Sequence, residues 1–190
     1  MYIAQKVEFA LYGLGSHLPA DHNAKTHRAF KNLTPEAFLR GDRSKLKATF
    51  GVLAQTFGKA FFIDTPELTK FYEDRNLIAH NYYREFCANI SGAQGRGDPI
   101  DFLDDFIKRG QHWIAVMKGL ARLLIEAAAA KEGRLNELSY SEQDESEIEK
   151  YVETLTKSIG VTPAYSGALD PGSWGNSGTT GLNGPFKSTS

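Results

Sequence analysis

The sequence predicts an all-α protein: a bundle of five or six helices followed by a flexible tail. Apolar residues recur at intervals of three and four along most of the first 160 residues, which is the period of an amphipathic helix. Several of these stretches open on a helix-start signal, most clearly Thr34-Pro35-Glu36 and Thr65-Pro66-Glu67. No stretch alternates apolar and polar residues for long enough to indicate a strand. The 190 residues, 41% of them hydrophobic, suffice for one domain with a core.

The first half of the chain is predicted to hold four helices. The first runs from Met1 to Leu18, where Pro19 ends it, and a short second helix opens at Pro35 and stops around Gly41. The third is capped by Asp42 or Ser44 and ends at Gly58. Its apolar face comprises Leu46, Phe50, Leu53 and Phe57. The fourth helix begins after Thr65.

Two further helices are predicted in the second half. The longest starts at Asp98-Pro99 and ends at Gly133, and Trp113 in its middle is interpreted as a core residue. Its apolar repeat comprises Leu103, Phe106, Gly110, Trp113, Met117, Leu120 and Leu124. The last helix is capped by Ser141 and stops at Gly160. Its apolar face comprises Ile148, Val152, Leu155 and Ile159.

Residues 1–160 are therefore assigned to the bundle, within which 19–47 form an inserted basic loop and short helix. Residues 161–190 are rich in Gly, Pro and Ser and carry too little apolar surface to offset the entropy of ordering, which predicts a flexible tail. The single cysteine, Cys87, excludes an intramolecular disulfide, and no apolar run reaches the length of a membrane span. We therefore expect a cytoplasmic protein that does not enter a membrane.

Charge is distributed unevenly along the chain. The segment from Lys25 to Lys47 has seven Lys and Arg residues against two acids, whereas Glu142 to Glu153 has six acids against one Lys. A polyanion would bind the first segment and avoid the second. The alternative is that both are ordinary solvated faces. His17, His22 and His27 are spaced by five, which is unfavourable for helical metal ligands, so a solvated loop without a metal is expected there.

The most distinctive stretch is Asp74-Arg75-Asn76-Leu77-Ile78-Ala79-His80-Asn81-Tyr82-Tyr83. On one ideal helix His80 lies roughly 140° around the axis from Arg75, so the two side chains cannot reach one point. They can converge if the helix breaks near His80, or if a second copy of the chain presents the same segment across a two-fold axis.

The same helix carries an apolar stripe that Arg75 would interrupt. The stripe comprises Leu68, Phe71, Arg75, Ile78, Tyr82 and Phe86. A guanidinium there needs either a carboxylate partner, for which Glu73, Asp74 and Glu85 are candidates, or a cleft at a subunit boundary. A purely structural ion pair between helices is the simpler alternative.

Arg75, Asn76, His80 and Tyr82 together resemble the R-x4-H-x-Y form of the HEPN superfamily, the form found in HepT-like toxins. The resemblance covers mainly residues 1–160. It implies an all-α bundle, a homodimer, and RNA cleavage without a metal or other cofactor at a site shared by two subunits. It also implies a toxin–antitoxin or anti-phage role, and a nucleotidyltransferase-type antitoxin that adenylylates Tyr82.

In such a nuclease His80 would act as acid and base on the 2′-hydroxyl and the leaving oxygen, and Arg75 would stabilise the phosphate. Asn76 would orient the arginine or the phosphate. The substrate would also be bound by Tyr82, Asn81, Lys45 and Arg43. The alternative function is a non-catalytic HEPN-like module that binds nucleic acid or a protein partner.

Overall fold

The computed structural model describes residues 1–40, 49–87 and 98–160. Most of these residues are helical and none of them forms a strand, so the all-α prediction is confirmed. The α-helices are α1 (Tyr2–Ser16), α2 (Pro35–Leu39), α3 (Phe50–Ala60), α4 (Pro66–His80), α5 (Pro99–Lys131) and α6 (Glu142–Ser158). Short 3-10 turns lie at Asn23–Thr26 and Leu135–Glu137, and a π-helical segment covers Tyr83–Cys87.

The longest helix, α5, is the element around which the others pack. Its 33 residues extend about 50 Å, and α1 and α6 lie against it while α3 joins α1 to α4. Lys118 of α5 pairs with Glu147 of α6 at 3.1 Å, and Arg122 pairs with Asp144 at 2.7 Å. Since the second pair lies further along α5 and earlier in α6, the two helices are antiparallel.

A close backbone approach joins the same two helices at Gly119. A Cβ at this position would lie 2.0 Å from the main-chain oxygen of Glu147. Only glycine lets α6 approach α5 at this distance.

The core is largely aromatic. Phe71 of α4 stacks on Phe106 of α5 with ring centroids 4.7 Å apart, and Phe57 packs against Phe30 at 4.6 Å. Trp113 is 2% exposed, which confirms its assignment to the core.

Side-chain caps start the helices largely as the sequence indicates. The hydroxyl of Thr34 accepts a hydrogen bond from the amide of Ala37, and Thr65 accepts one from Leu68. Ser141 forms a reciprocal capping box with Asp144. These contacts satisfy amides that the first helical turn leaves without partners.

The third helix differs from its prediction at both ends. Thr49 is its N-cap, and its hydroxyl accepts from Val52, so α3 begins at Phe50 rather than at Asp42 or Ser44. Asp42 and Ser44 lie outside the described residues. At the other end α3 continues past Gly58 to Ala60.

The face that α6 turns inward also differs from the prediction. Glu147, Tyr151 and Thr154 are buried, whereas Val152 and Ile159 are 45% and 53% exposed. The hydroxyl of Tyr151 donates to the main-chain oxygen of Phe61 at 3.1 Å, and Glu147 pairs with Lys118. These polar contacts rotate α6 away from the orientation that its apolar residues alone predict.

The predicted basic insertion buries one of its basic residues. Lys25 is 5% exposed, and its ammonium donates to the main-chain oxygens of Ser16 at 2.9 Å and Leu33 at 2.8 Å. Lys25 therefore fastens the connection between α1 and α2 and is not available to a polyanion. Arg28 and Lys31 are exposed.

Three helices end on a residue with left-handed backbone. Gly133 after α5 and Gly160 after α6 have φ of +70° and +69°, as is usual for a helix C-terminus. After α3 the same position holds Phe62, with φ of +56°. The turn there is a Schellman motif, in which Ile63 N–H donates to Gly58 at 2.8 Å and Phe62 N–H donates to Lys59 at 3.2 Å. Left-handed backbone costs a residue with a Cβ about 1–2 kcal/mol.

Candidate functional site

The candidate site lies at the C-terminal end of α4. The helix includes both Arg75 and His80, and it ends at its C-cap Asn81, whose N–H still donates to the oxygen of Leu77 at 2.8 Å but whose φ of −129° is no longer helical. The helix therefore breaks after His80 and not between the two residues. Ideal geometry keeps them roughly 140° apart and about 7.5 Å apart along the axis. Within one subunit they do not converge.

The inward face of α4 is not the predicted stripe. The buried residues are Leu68, Phe71, Asp74 and Leu77. Arg75 and Ile78 are only half-buried at the margin of that face. The charged residue that α4 places in the interior is thus Asp74, whereas Arg75, which was predicted either to pair with a carboxylate or to line a cleft, lies at the margin of the buried face.

Asp74 pairs with a partner that the sequence did not indicate. Its Oδ2 lies 2.9 Å from Nη2 of Arg109 in α5 and 2.9 Å from Nζ of Lys70. Arg109 also contacts Asp105 through Nε at 2.8 Å. Asp74 and Glu73 were two of the partners predicted for Arg75. Asp74 instead faces α5, and Glu73 is exposed.

Arg75 is held by its neighbour. Its Nη1 donates to Oδ1 of Asn76 at 3.0 Å, and both side chains are half-buried. Glu8 of α1 lies within electrostatic reach: partial burial raises the pKa of the Glu8 carboxyl, and the positive charge of Arg75 opposes part of that rise. Arg75 is thus oriented at the edge of the bundle with a carboxyl of α1 near it.

His80 and Asn81 are exposed at the end of α4. Neither is enclosed by its own subunit, so a ligand or a second subunit can reach both. An exposed imidazole can donate or accept a hydrogen bond with a bound molecule.

Tyr82 begins a short aromatic row. Its ring lies 5.0 Å from that of Phe86, which in turn lies 4.8 Å from Phe102 at the start of α5. Tyr82 is half-buried, whereas Tyr83 is 71% exposed. Phe86 lies in the π-helical segment Tyr83–Cys87, a local distortion of a kind that often occurs at functional sites.

Two of the predicted substrate-binding residues, Arg43 and Lys45, lie outside the described residues. The sequence analysis missed Arg109 and Glu8, and it named Asp74 only as a candidate partner for Arg75. Arg109 and Glu8 come from other helices, and local spacing carries no information about them.

A groove of about 930 Å³ lies elsewhere, between α1 and α5. Apolar residues line most of it, with Lys6, His17 and Lys118 as its charged or titratable members, and none of its lining belongs to residues 74–83. The described parts of the chain hold no group of three or more His, Cys, Asp or Glu side chains arranged for a metal ion.

Fold and site together define an all-α helical protein with an oriented arginine and an exposed histidine at the end of one helix. Comparison with known proteins finds no match among family models, curated proteins or solved structures. Within the described ranges, none of the helices has the length and apolar character needed to traverse a bilayer.

Proposed function

We propose that this protein is a metal-independent endoribonuclease of HEPN type that acts as a homodimer. The observation that carries the proposal is the accessibility of the motif: Arg75 is half-buried and oriented by Asn76, and His80 is exposed. Had either side chain been enclosed and saturated within its own subunit, it could not contact RNA.

The geometry of α4 supports the proposed dimer. Arg75 and His80 lie on one unbroken helix and diverge by roughly 140°, so one subunit cannot direct both at one phosphate. A two-fold axis near the end of α4 brings Arg75 of one subunit towards the partner's His80.

In the proposed reaction one His80 removes the proton of a ribose 2′-hydroxyl. The 2′-oxygen then attacks the adjacent phosphorus, and the bond to the 5′-oxygen breaks. The partner's His80 protonates that leaving oxygen, which gives a 2′,3′-cyclic phosphate and a 5′-hydroxyl. Arg75 stabilises the charge on the phosphate oxygens, and its hydrogen bond from Nη1 to Asn76 fixes the guanidinium plane.

Tyr82 and Asn81 would bind the substrate beside the reacting phosphate, with Arg43 and Lys45 contacting the RNA backbone further away. Tyr82 is also the position at which the resemblance implies adenylylation by an antitoxin. That modification would add bulk and negative charge to the site and so exclude RNA. A toxin–antitoxin or anti-phage role is proposed on this basis.

The test is cleavage of total RNA by the purified protein in the presence of EDTA. Arg75→Ala and His80→Ala are each expected to lower the rate by at least about 10²-fold, because positioned proton transfer and phosphate stabilisation are lost. His17→Ala and Arg134→Ala are matched controls: His17 is exposed, and Arg134 pairs with Glu132 and Glu137 after the end of α5. Folded Arg75 and His80 variants that cleave at the wild-type rate would refute the proposal.

The shared site has its own test. When wild-type protein and His80→Ala are mixed in equal amounts and allowed to exchange subunits, random pairing leaves about a quarter of the dimers with two intact histidines. Activity should fall to about a quarter of the wild-type value. A fall to about half would show that each subunit acts alone. Binding of RNA without cleavage by the wild-type protein would support the non-catalytic alternative.

A further inference from the structure

A second feature with binding chemistry lies between the C-terminal half of α3, together with Phe62 after it, and the start of the 3-10 turn at Asn23–Thr26. A notch of about 470 Å³ opens there, within the size range of small-molecule sites. Two alanines form part of its wall. The remaining lining residues are His22, Asn23, Gln55, Thr56, Lys59 and Phe62. None of these eight residues is acidic, so the notch offers one lysine charge without an opposing carboxylate in its lining.

The residue that draws attention to this notch is Phe62. It occupies the left-handed position of a helix C-terminus, where the chain uses glycine after α5 and after α6. Phe62 does not belong to the core. It is 54% exposed, whereas its neighbours Phe61 and Ile63 are 5% and 0% exposed. The turn would form more easily with glycine, and the core does not need the ring. Strained backbone at a residue that the fold does not require is a feature that clusters at ligand-binding sites.

The polar groups around the ring suit a planar, anionic ligand. Asn23 and Gln55 each present an amide donor and an amide acceptor, which is the pattern that pairs with the edge of a nucleobase. The Nδ1 atom of His22 accepts the amide of Ala24 at 3.1 Å, so the proton of the neutral ring lies on Nε2, which is left as a donor. Lys59 supplies a positive charge for a phosphate.

We propose that this notch binds a nucleotide, with its base stacked on Phe62, its base edge on Asn23 and Gln55, and its phosphate on Lys59. The ligand is either a free nucleotide or one residue of a single-stranded RNA, because both present the same base and phosphate. The site is separate from the motif at the far end of α4, whose 15 residues extend about 22 Å. It does not depend on the proposed nuclease activity.

The experiment measures binding of two probes to the full chain by calorimetry: AMP, and a short 2′-O-methylated oligoadenylate, which cannot undergo attack by a 2′-hydroxyl. Phe62→Leu is the main variant, since it keeps the apolar bulk and the backbone strain but removes the aromatic face. It is expected to weaken binding by about 5- to 150-fold, the range measured for base stacking on aromatic residues. Phe62→Trp should retain binding, and Lys59→Gln should weaken it.

Tyr2→Leu is the matched control. Tyr2 is an exposed aromatic residue beside a lysine, with Lys6 Nζ lying 4.5 Å from the centre of its ring, but it lies in α1. This variant should bind as the wild type does.

Binding of AMP that Phe62→Leu weakens identifies a free-nucleotide site. Binding of the oligonucleotide alone, weakened by the same variant, identifies an RNA subsite. The proposal is overturned if neither probe binds, or if Phe62→Leu and Tyr2→Leu have equal effects. The nuclease proposal is tested by RNA cleavage in EDTA, which does not enter the measurement of AMP binding, so a failure of the nuclease proposal is distinguishable from a failure of this one.

Discussion

The ion pair between Asp74 and Arg109 is expected to be the strongest single polar contribution to the position of α4. The Asp74 side chain is 3% exposed and that of Arg109 is 22% exposed, and Nη1 of Arg109 is a buried atom without a hydrogen-bond partner among the described residues. Removal of one member of a buried pair usually costs about 3–5 kcal/mol, because the other charge is left unpaired. Arg109 keeps its contact with Asp105, so for Asp74→Asn we expect the lower end of that range, about 3 kcal/mol.

Urea denaturation measures this free energy of unfolding. Asp105→Asn is the matched control, because Asp105 contacts the same guanidinium but is 65% exposed, and it should cost at most about 1 kcal/mol. The double variant Asp74→Leu with Arg109→Met should recover most of the lost stability, since apolar pairs often replace buried ion pairs without cost. Equal losses for Asp74→Asn and Asp105→Asn would refute the assignment of Asp74 as the buried anchor of α4.

Three further predictions follow from the contacts of the other helices. Gly119→Ala would place a Cβ 2.0 Å from the main-chain oxygen of Glu147. We therefore expect the free energy of unfolding, measured by urea denaturation, to fall by about 1–3 kcal/mol. An unchanged denaturation midpoint would contradict the close approach of α5 and α6. Ser141→Ala removes the cap of α6 and should lower the unfolding free energy by about 1 kcal/mol; Ser141→Gly should cost less. The Glu8 carboxyl has a raised pKa, so its contribution to stability is full below the unfolded pKa and is lost as pH rises through the folded pKa. In Arg75→Gln that folded pKa should rise further, which a carboxyl NMR titration would show, and an unchanged pKa would mean that Glu8 lies beyond the electrostatic reach of Arg75.

The helices themselves were largely determined by local sequence. Thr34, Thr65, Asp98 and Ser141 start helices where their side chains predict caps, since a cap depends only on the next three amides. The end of α5 near Gly133 is equally local, because left-handed backbone favours glycine. The assignment of the motif to a HEPN-type nuclease remains a prediction from four residues of one helix.

The tertiary structure decided how each helix is rotated. In α4, Asp74 and Arg75 are adjacent positions, and the choice between them as the buried residue depended on Arg109 of another helix. In α6 the buried face was likewise decided by contacts with other elements, namely the hydrogen bond of Tyr151 to Phe61 and the ion pair of Glu147 with Lys118. Sequence determines helix boundaries because caps and turns act within a few residues. Only packing determines which face is buried, because the partners that decide it lie far away in the chain.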